Sequence, residues 1–384
     1  MKLKILIFIN YYGKKSETFI SDEIAFLSSQ ENLDLTILHY GKDIPSKNTV
    51  GINLAADFKK RWLRVLRKFD TTILRSLQYR NGLNGTLASL IPFFRKNQFD
   101  TIYCHFGTNG KLIAELKDLG VIPKETKLVV RFHGLDLNMK KYPKSFYNVL
   151  NNMDNIVLYG TKMAQDKLTT YGLIKQIVFL PVGIKTSNIS DINNVDTSVP
   201  DNFFILAVGR FIELKGHEIA IDIMENLKSD NVFLNVIGDG ERFLKIQQTV
   251  NRKALESKVN LLGKKSHQEV FLNLEKSHIY LYSGIYDAEG RCENQATSVL
   301  EAMAQGKVVI SSALGGITDY LIENKTGFLC EPGNVKQFVE KLQWIIQNYT
   351  SAEMTKVRQN AILEVQKNYC QEKLNDQLLK LLIA

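Results

Sequence analysis

The 384-residue sequence lacks the features that define several classes of protein. No apolar run is long enough to span a bilayer, and we find no internal repeat or low-complexity tract. The apolar start, "MKLKILIFIN", has no small-residue cleavage pattern after it, so we interpret it as a core strand rather than a signal peptide. With an ordinary hydrophobic content of 45%, the length predicts two domains that each bury a core.

Cysteine is also scarce, with four residues in the chain. They are scattered and form no close pair at the spacing of metal ligands: Cys104, Cys292, Cys330 and Cys370. This pattern predicts reduced thiols in a cytoplasmic protein. We find no Asp-x-Asp sequence at a predicted strand end, and few acidic residues near the strand ends of the first half. The sequence therefore predicts no metal and no other cofactor.

Basic charge is concentrated in the first half of the chain. The net charge of the whole chain is +9, with +11 in residues 1–200 and −2 in the remainder. Much of the excess lies between Phe58 and Arg80, in "FKKRWLRVLRKFDTTILRSLQYR", which has eight basic residues and one acidic residue. At helical periodicity, its apolar residues fall on one narrow face and its basic residues on the opposite face.

Two interpretations of this basic segment remain open. It is either a helix that packs on the core with a solvated basic back, or a helix that lies on an anionic membrane surface. The second interpretation would place the protein peripherally on the inner face of the cell membrane. Nucleic acid is a weaker candidate partner, because we find neither a recognition motif nor an array of aromatic residues for stacking.

Predicted strands and helices alternate in both halves of the chain. This rhythm is typical of α/β domains in which helices cover both faces of a parallel sheet. We predict a first domain over 1–190, a polar linker over 191–202, and a second domain over 203–350. Residues 351–384 have a helical pattern without a strand, and we expect them to pack back across both domains. Two such sheets would meet at a cleft lined by the carboxyl ends of their strands.

Two glycine-containing turns follow predicted strands of the second domain. In "AVGRFIELKGH", the strand is followed by Arg210 and Lys215, a planar fork and a point charge that suit a diphosphate. In "VIGDGERF", Gly238 and Gly240 would let backbone N–H groups come close to a phosphate or a sugar. Taken alone, the first turn would be interpreted by default as a surface loop with ordinary charges, and the second is a weak signal because many strands end in Gly-Asp-Gly.

A pair of glutamates provides the most informative signal. In "GRCENQATSVLEAMAQGKVVISSALGGITDY", Glu293 lies in the loop before a predicted helix, and Glu301 lies two turns inside that helix. A carboxylate with two acceptor oxygens is suited to the vicinal diol of a ribose, and the helix N-terminus is suited to a phosphate. The alternative, in which Glu293 caps the helix and Glu301 is solvated, loses weight beside the two upstream turns.

Together these motifs resemble the retaining GT-B glycosyltransferases of glycosyltransferase family 4. The resemblance is closest to members that build capsular, colanic-acid-like and lipopolysaccharide chains. The matching segments occur in family order over about 330 residues: "SETFISDEI", "HFG", "VVRFHGLDL", "AVGRFIELKGH", "VIGDGE", "VNLLGK", the segment with the two glutamates, "LEAMAQGKVVISS" and "GGI". The segments of the second domain are specific, whereas those of the first are looser.

The resemblance implies roles for individual residues. Arg210 and Lys215 match the pair that neutralises the donor diphosphate. Glu301 matches the carboxylate on the nucleotide ribose, and Glu293 the carboxylate that faces the donor sugar near the reacting carbon. His133, in "FHG", matches the histidine of the first domain that reaches over the donor sugar. A hydrogen-bonded histidine at a strand end is the structural alternative for His133, and it is the favoured reading for His105 in "CHFG".

Other positions match the family pattern less closely. The turn around Leu262 and Gly263 resembles the edge that binds the nucleotide base. The family usually has glycine directly after the first glutamate, but this chain has Asn294 and Gln295, whose amides would contact the sugar. "GGITD" replaces the commoner Gly-Gly-x-Pro-Glu, which places Asp319 at the acidic position. These departures concern the identity of the donor sugar.

The resemblance therefore implies a metal-independent hexosyltransferase that moves a sugar, with retention, from a nucleotide-sugar donor. It favours a UDP-sugar over a GDP-sugar, and a saccharide or lipid-linked saccharide as the acceptor in the synthesis of cell-surface polysaccharide. Two other functions remain open. One is a non-catalytic partner that binds nucleotide-sugars within an assembly complex, and the other is a sugar-nucleotide epimerase of the same architecture.

Overall fold

The structure is a computed structural model that describes residues 2–12, 18–41, 49–52, 70–79, 85–151 and 153–384. The chain forms two compact units. The first unit contains Met1–Pro181 together with Asn375–Ala384, and the second contains Val182–Leu374. Among the described residues, no helix combines the length and the apolar character needed to cross a membrane.

The first unit is built on a seven-stranded sheet in which every pair of neighbours is parallel. Its strands are β1 (Leu3–Ile9), β2 (Leu33–Tyr40), β3 (Thr49–Ile52), β4 (Thr101–His105), β5 (Lys127–Arg131), β6 (Ile156–Tyr159) and β7 (Ile177–Phe179). Their order is β3-β2-β1-β4-β5-β6-β7, so the chain changes direction across the sheet between β1 and β4. The apolar run of β1 is buried from Ile5 to Ile9, as expected for a central parallel strand.

Helices connect these strands. They are α1 (Thr18–Ser28), α2 (Thr71–Ser76), α3 (Thr86–Lys96), α4 (Gly107–Asp118), α5 (Asn148–Asn151) and α6 (Lys162–Thr170). Two glycines allow α4 to approach the sheet closely. A Cβ atom on Gly107 would lie 2.0 Å from the ring of Phe132, and one on Gly110 would lie 2.4 Å from the side chain of Val130.

The second unit is built on a six-stranded sheet, also parallel throughout. Its strands are β8 (Phe203–Val208), β9 (Val232–Ile237), β10 (Val259–Gly263), β11 (Ile279–Tyr282), β12 (Val308–Ser312) and β13 (Phe328–Cys330). Their order is β10-β9-β8-β11-β12-β13, so the change of direction falls between β8 and β11. The predicted fold class, α/β with two parallel sheets, is confirmed.

The remaining helices belong mainly to the second unit. They are α7 (His217–Asn226), α8 (Phe243–Arg252), α9 (His267–Lys276), α10 (Thr297–Ala304), α11 (Val335–Gln347), α12 (Ala352–Asn368) and α13 (Gln371–Ile383). Alternate residues of β8 pack on opposite faces of the sheet. Ile205 joins the core on one side, whereas Leu206 joins the core on the other, which explains why the strand is apolar at successive positions.

The division into units differs from the predicted domain boundaries. The predicted linker, 191–202, and residues 182–190 lie in the second unit. Backbone hydrogen bonds hold this stretch there, because Ile184 bonds to Tyr369 and Gln371, and Ser190 donates to the carbonyl of Ala304. The C-terminal residues 351–384 are helical. Residues 351–374 belong to the second unit, and residues 375–384 belong to the first.

The basic segment lies largely outside the described residues, which include only 70–79 of it. Helix α2 begins after Asp70, whose carboxylate accepts the backbone N–H groups of Thr72 and Ile73. Ile73 packs against the core of the first unit, and Arg75 is exposed. The four basic residues before α2 that carry the membrane hypothesis, Arg61, Arg64, Arg67 and Lys68, are outside the described residues.

Candidate active site

Two loops leave the sheet of the second unit at its change of direction. In parallel α/β sheets, ligands bind outside the carboxyl ends of the strands at such a point. Strand β8 ends at Val208 and continues into Gly209 and Arg210. Its neighbour β11 ends at Tyr282 and leads into the loop that carries Glu293. The topology therefore places both predicted donor-site loops at the same edge of the sheet.

An ion pair joins these two loops. Lys215 lies in a short 3-10 turn, Glu213–Lys215, and its Nζ is 2.5 Å from Oε2 of Glu293. Both side chains are mostly buried, with 16% and 21% of their surfaces exposed. The hydroxyl of Tyr282 donates to the same carboxylate oxygen at 3.2 Å, and the Lys215 ammonium lies 5.3 Å from the centre of the Tyr282 ring.

The environment keeps Tyr282 protonated. Burial, reinforced by the negative charge of Glu293, raises the pKa of Tyr282 well above its usual value. A protonated phenol can donate to the carboxylate at any physiological pH. Glu293 is therefore oriented by two donors, one charged and one neutral, and its carboxylate is fixed before any ligand arrives.

Backbone contacts hold the Lys215 loop against the end of β11. Gly216 has a left-handed conformation, with φ of 61°, and a Cβ atom there would lie 1.9 Å from the carbonyl oxygen of Ser283. The Ser283 hydroxyl donates to the Gly216 carbonyl at 2.8 Å. The N–H of Ile285 donates to the carbonyl of Leu214 at 3.1 Å. Only glycine permits this close approach.

His217 supports the turn after β8. It is buried, and its Nε2 lies 3.1 Å from the carbonyl oxygen of Gly209. Burial lowers the pKa of His217 to about 4, so the ring is neutral and its Nε2–H donates to Gly209. The next residue, Arg210, is exposed and forms no ion pair among the described residues. Its guanidinium is available to an anionic ligand.

The glycine pair after β12 closes on the Glu293 loop. Gly315 has φ of 56°, and a Cβ atom there would lie 1.8 Å from the carbonyl oxygen of Glu293. The N–H of Gly316 donates to the carbonyl of Asn294 at 2.9 Å. The Gly-Gly sequence therefore fixes the backbone of Glu293 and Asn294, which accounts for its place shortly after this motif.

Glu293 does not cap the following helix. The N-cap position of α10 is Ala296, and no side chain caps the helix there. Glu301, within α10, accepts from a residue that sequence analysis missed. Nε2 of His267 lies 3.1 Å from Oε1 of Glu301, and the side chain of Glu301 is 15% exposed whereas that of His267 is 66% exposed. His267 opens α9 directly after Ser266, whose capping box gives a readable sequence signal for the helix start.

Other predicted donor contacts have structural roles of their own. The side-chain amide of Gln295 is committed to Val182, accepting from its N–H at 2.9 Å and donating to its carbonyl at 2.7 Å. The N–H of Gly238 donates to the carbonyl of Gly263 at 3.0 Å. These polar groups were expected to be available for a ligand, but both are engaged within the unit.

Close packing against neighbouring backbone explains why glycines occupy two positions in "VIGDGERF". A Cβ atom on Gly238 would lie 1.9 Å from the carbonyl oxygen of Gly209, and one on Gly240 would lie 2.6 Å from that of Phe211. The turn after β9 therefore packs directly on the turn after β8. Leu262 is half-buried against the core at the end of β10, and Gly263 adopts a left-handed conformation with φ of 67°.

His133 lies in the first unit, two residues after β5. Its N–H donates to Oδ1 of Asp136 at 3.0 Å, and Oδ2 of Asp136 accepts the N–H of Gly107 at 2.7 Å. The ring of His133 packs against those of Phe19 and Phe106, with centroids 5.1 and 4.8 Å away. Burial, assisted by the positive charge of Arg131, lowers the pKa of the His133 imidazole well below its usual value. The imidazole is therefore neutral.

The described residues around this site were compared with the ligand sets that metal ions require. Among the described residues, no group of three or more His, Cys, Asp and Glu side chains is arranged to hold a metal ion. The polar side chains proposed for the donor site in the second unit are instead a lysine, an arginine, two carboxylates and a phenol: Lys215, Arg210, Glu293, Glu301 and Tyr282. Such a set binds anions and hydroxyl groups.

Several known proteins resemble this chain in sequence and in fold. The sequence model of the family described as glycosyl transferases group 1 matches residues 189–363. The matched residues make up most of the second unit, which is therefore similar to a group 1 glycosyltransferase domain. The matched residues include every donor-site position predicted in that unit, from Arg210 to Glu301.

Some relatives and solved structures are similar to this chain well beyond residues 189–363. The Escherichia coli protein WcaL, named as a colanic acid biosynthesis glycosyltransferase, is 25% identical, covering 100% of both chains. The amylovoran biosynthesis glycosyltransferase AmsK of Erwinia amylovora is 28% identical and covers 62% of this chain and 59% of its own. Anabaena Alr3699/HepE, crystallised with UDP, superposes with a TM-score of 0.72 at 17% identity over 99% of each chain. The predicted GT-B fold is confirmed.

Proposed function

We propose that the protein is a retaining, metal-independent hexosyltransferase that transfers a sugar from a UDP-sugar. The observation that carries the proposal is the Lys215–Glu293 pair at the change of direction in the sheet, with Arg210 exposed on the same loop after β8. A cation and a carboxylate fixed side by side suit a ligand that has a diphosphate next to a sugar. Retention of configuration is taken from the resemblance to family 4.

Charge neutralisation is the chemical task of this site. When the bond between the anomeric carbon and the diphosphate breaks, negative charge grows on the departing phosphate oxygen. Lys215 has three N–H donors and uses one in its hydrogen bond to Glu293, so the other two can bind the phosphate. Arg210 adds a planar pair of donors. Positive groups held in place before the reaction stabilise such a transition state efficiently, and in our proposal they take the place of a metal ion.

The two carboxylates have separate roles in binding the ribose and the sugar of the donor in our proposal. We propose that Glu301 binds the two hydroxyls of the nucleotide ribose, and that Glu293 faces the donor sugar near the reacting carbon. The turn at Leu262 and Gly263 would line the nucleotide base. His133 of the first unit would contact the donor sugar. Since the side chain of Gln295 is engaged by Val182, its backbone N–H is the group we propose for the sugar contact.

The donor and acceptor classes follow from the relatives. Structures of the Anabaena protein contain UDP and UDP-glucose, which favours a UDP-sugar here. The names of WcaL and AmsK concern the synthesis of colanic acid and amylovoran, so we propose a saccharide or lipid-linked saccharide acceptor in polysaccharide synthesis. We place the protein in the cytoplasm, where nucleotide-sugars would supply the donor.

A panel of UDP- and GDP-sugars tests the proposal. The full chain is incubated with each donor and a saccharide acceptor, with and without EDTA, and released nucleotide is measured. We expect release with a UDP-sugar that EDTA does not reduce, and an NMR spectrum of the product that shows the donor's anomeric configuration. Activity that disappears with EDTA and returns with Mg²⁺ or Mn²⁺ would show that the reaction depends on a metal. Binding of nucleotide-sugar without release would favour the non-catalytic partner, and interconversion of the sugar would favour the epimerase.

Membrane attachment through residues 58–80 is a separate proposal that rests on sequence alone. Each Lys or Arg near an anionic surface contributes about 1 kcal/mol, and salt screens the attraction. We expect salt-sensitive binding to anionic liposomes that is lost when Arg61, Arg64, Arg67 and Lys68 are neutralised together. Activity on a soluble acceptor should remain. Equal liposome binding by the quadruple variant and the parent would leave the segment as a packed helix with a charged back.

A further inference from the structure

Two asparagine side chains meet at the change of direction in the sheet of the first unit. Asn10 directly follows β1, and Asn109 lies in the first turn of α4, just after β4. Nδ2 of Asn109 donates to Oδ1 of Asn10 at 3.0 Å. In parallel α/β sheets, ligands bind outside the carboxyl ends of the strands at such a point. The transfer reaction proposed above gives neither residue a role.

The orientation of the Asn109 amide is fixed by its neighbours. Asn109 is 1% exposed, and its Nδ2 also donates to the backbone carbonyl of His105 at 2.9 Å. Because a carbonyl oxygen can only accept, the NH2 group of Asn109 must be the group that faces it. Oδ1 of Asn109 accepts from the hydroxyl of Tyr40 at 3.2 Å. Burial, reinforced by Cys104 and Tyr11, raises the pKa of Tyr40 well above its usual value, so this hydroxyl stays protonated.

These contacts determine which atom of Asn10 is left for a ligand. The two hydrogens on Nδ2 of Asn109 go to His105 and Asn10, so the atom of Asn10 beside them has to be the acceptor Oδ1. Nδ2 of Asn10 is then on the other side of its amide. Asn10 is half-buried, and its Nδ2 is accessible and has no hydrogen-bond partner in the part of the chain that the structure describes. Asn10 therefore presents an oriented donor group.

The backbone next to this contact is strained. Phe106, between β4 and α4, has φ of 73°, a left-handed conformation that residues other than glycine seldom adopt. The N–H of Asn109 donates to the Phe106 carbonyl at 3.0 Å, so the strained turn is the one that brings Asn109 to Asn10. Strain of this kind persists only where the surrounding structure imposes it, and it is concentrated at binding and catalytic sites.

The chemistry of this cluster suits a neutral sugar. Its amides and phenols, from Asn10, Asn109, Tyr11 and Tyr40, carry no charge, and such groups bind hydroxyls rather than phosphates. Tyr11, next to Asn10 in the chain, is 60% exposed and offers an apolar ring to the C–H face of a sugar. In the proposed reaction the diphosphate, ribose and base of the donor are bound by the second unit, whereas the acceptor has no assigned contact.

We infer that Asn10 is a binding residue for the saccharide acceptor, and that its Nδ2 donates to a hydroxyl oxygen of that sugar. A donor that is oriented before the ligand arrives loses little conformational freedom on binding. The inference rests on the proposed function, which supplies the saccharide acceptor. Sugar hydroxyls occur in both the donor and the acceptor, and the experiments distinguish these two sources.

Nitrogen NMR of the full chain labelled with ¹⁵N-asparagine tests the contact without turnover. The side-chain amide signals of Asn10 and Asn32 are assigned by their loss in Asn10→Asp and Asn32→Asp, and the first of these variants keeps an oxygen beside Asn109. Methyl glycosides of glucose, galactose and mannose are the probes for the acceptor, and UDP-glucose is the probe for the donor. We expect a methyl glycoside to shift the Asn10 signal and not the Asn32 signal. No shift with any glycoside, or a shift with UDP-glucose alone, would overturn the inference.

The kinetics of Asn10→Ala provide a second readout. We expect KM for the saccharide acceptor to rise about 5- to 30-fold, because a sugar hydroxyl loses its donor. The turnover number kcat should stay within about threefold of the parent, since the bond is present both before and during the transfer. KM for the UDP-sugar should stay within about twofold, because Asn10 does not contact the donor. A raised donor KM beside an unchanged acceptor KM would assign Asn10 to the donor and overturn the inference.

Asn32→Ala is the matched control. Asn32 is exposed and directly precedes β2, so it lies at the amino end of this parallel sheet, opposite Asn10. We expect its replacement to leave both KM values unchanged. If no donor of the panel is turned over, the proposed transfer fails, yet the NMR titration still decides whether Asn10 binds a sugar. The two failures are therefore distinguishable.

Discussion

Lys215 and Glu293 form an ion pair with Nζ and Oε2 2.5 Å apart, although 78 positions separate them in the chain. Their loops follow β8 and β11, the two adjacent strands between which the sheet changes direction. The carboxylate holds the ammonium in place and partly offsets its charge until an anion arrives. Because each partner orients the other, substitution of either residue should affect the binding of both the diphosphate and the sugar of the donor.

The first prediction concerns Lys215→Met, which keeps most of the side-chain volume but removes the charge. Loss of a positioned donor to the developing negative charge should lower kcat about 100- to 1,000-fold. Steady-state nucleotide release with a UDP-sugar measures the effect. Lys336→Met is the control, because Lys336 is 86% exposed on α11 and lies 3.8 Å from Glu340. A loss of less than about threefold in Lys215→Met would remove Lys215 from the reaction.

The second prediction concerns Glu301→Ala. A mostly buried carboxylate that binds ribose hydroxyls should contribute about 1.5–3 kcal/mol, which corresponds to a loss of roughly 10- to 150-fold in UDP affinity. Isothermal titration calorimetry on the folded variant gives the number. Glu340→Ala, at an exposed site on α11, should bind UDP like the parent. Equal affinities in all three proteins would exclude the ribose assignment.

The third prediction compares two glycines with left-handed backbones. Gly333 has φ of 80° and open space where a Cβ atom would lie, whereas at Gly315 that atom would lie 1.8 Å from the Glu293 carbonyl oxygen. Gly333→Ala should cost only the conformational strain, roughly 1–2 kcal/mol. Gly315→Ala should cost more and also displace the Glu293 loop. A displacement of about 1 Å can lower the rate about 100-fold.

Denaturation and kinetics of the two glycine variants separate these effects. Both proteins should be less stable than the parent, but only Gly315→Ala should lose turnover beyond its loss of folded protein. If Gly315→Ala retains the parental kcat, the backbone of the Glu293 loop does not need its observed position for the reaction.

The fourth prediction concerns the acid stability of the second unit. Burial lowers the pKa of His217 to about 4, whereas an unfolded histidine has a pKa of about 6.5. Between these values the unfolded chain binds a proton that the native protein excludes. The free energy of unfolding should therefore fall as the pH drops from about 6.5 to about 4, by about 3 kcal/mol for this residue.

His217→Gln isolates this contribution, because glutamine stays neutral and can still donate to the Gly209 carbonyl. Chemical denaturation of both proteins between pH 4.5 and 7.5 provides the test, because every other group that titrates in this range is the same in the two proteins. We expect the stability of the parent relative to the variant to decrease as the pH falls. Parallel stability curves would mean that His217 takes up its proton in the folded protein.

Local patterns in the sequence predicted the strands and the loops that follow them. The apolar runs of β8 and β11 are bounded by Gly209 and by the polar loop after Tyr282, so the chemistry-bearing residues could be placed at strand ends. Parallel topology then brings Lys215 and Glu293 to one edge of the sheet. This much follows from periodicity and from the alternation of strands and helices.

Contacts between distant segments could not be predicted in this way. The Gln295 amide binds the backbone of Val182, 113 positions earlier, and no local pattern distinguishes such a clamp from a ligand contact. The two compact units divide the chain at Val182 and not at the predicted linker, because the polar residues after Val182 give no local sign of their backbone partners. His267 was missed because its partner, Glu301, lies on another helix.

Helix α13 begins in the second unit and ends in the first, so the first unit is assembled from two separate stretches of chain. The hydroxyl of Thr101 donates to the Leu382 carbonyl at 2.9 Å, and the Gln377 amide donates to the Phe179 carbonyl at 3.3 Å. During synthesis, residues 182–374 emerge in full before the first unit receives its last helical turns. Domains fold as units while the chain is made. The second unit can therefore complete its fold before the first, although synthesis of the first unit starts earlier.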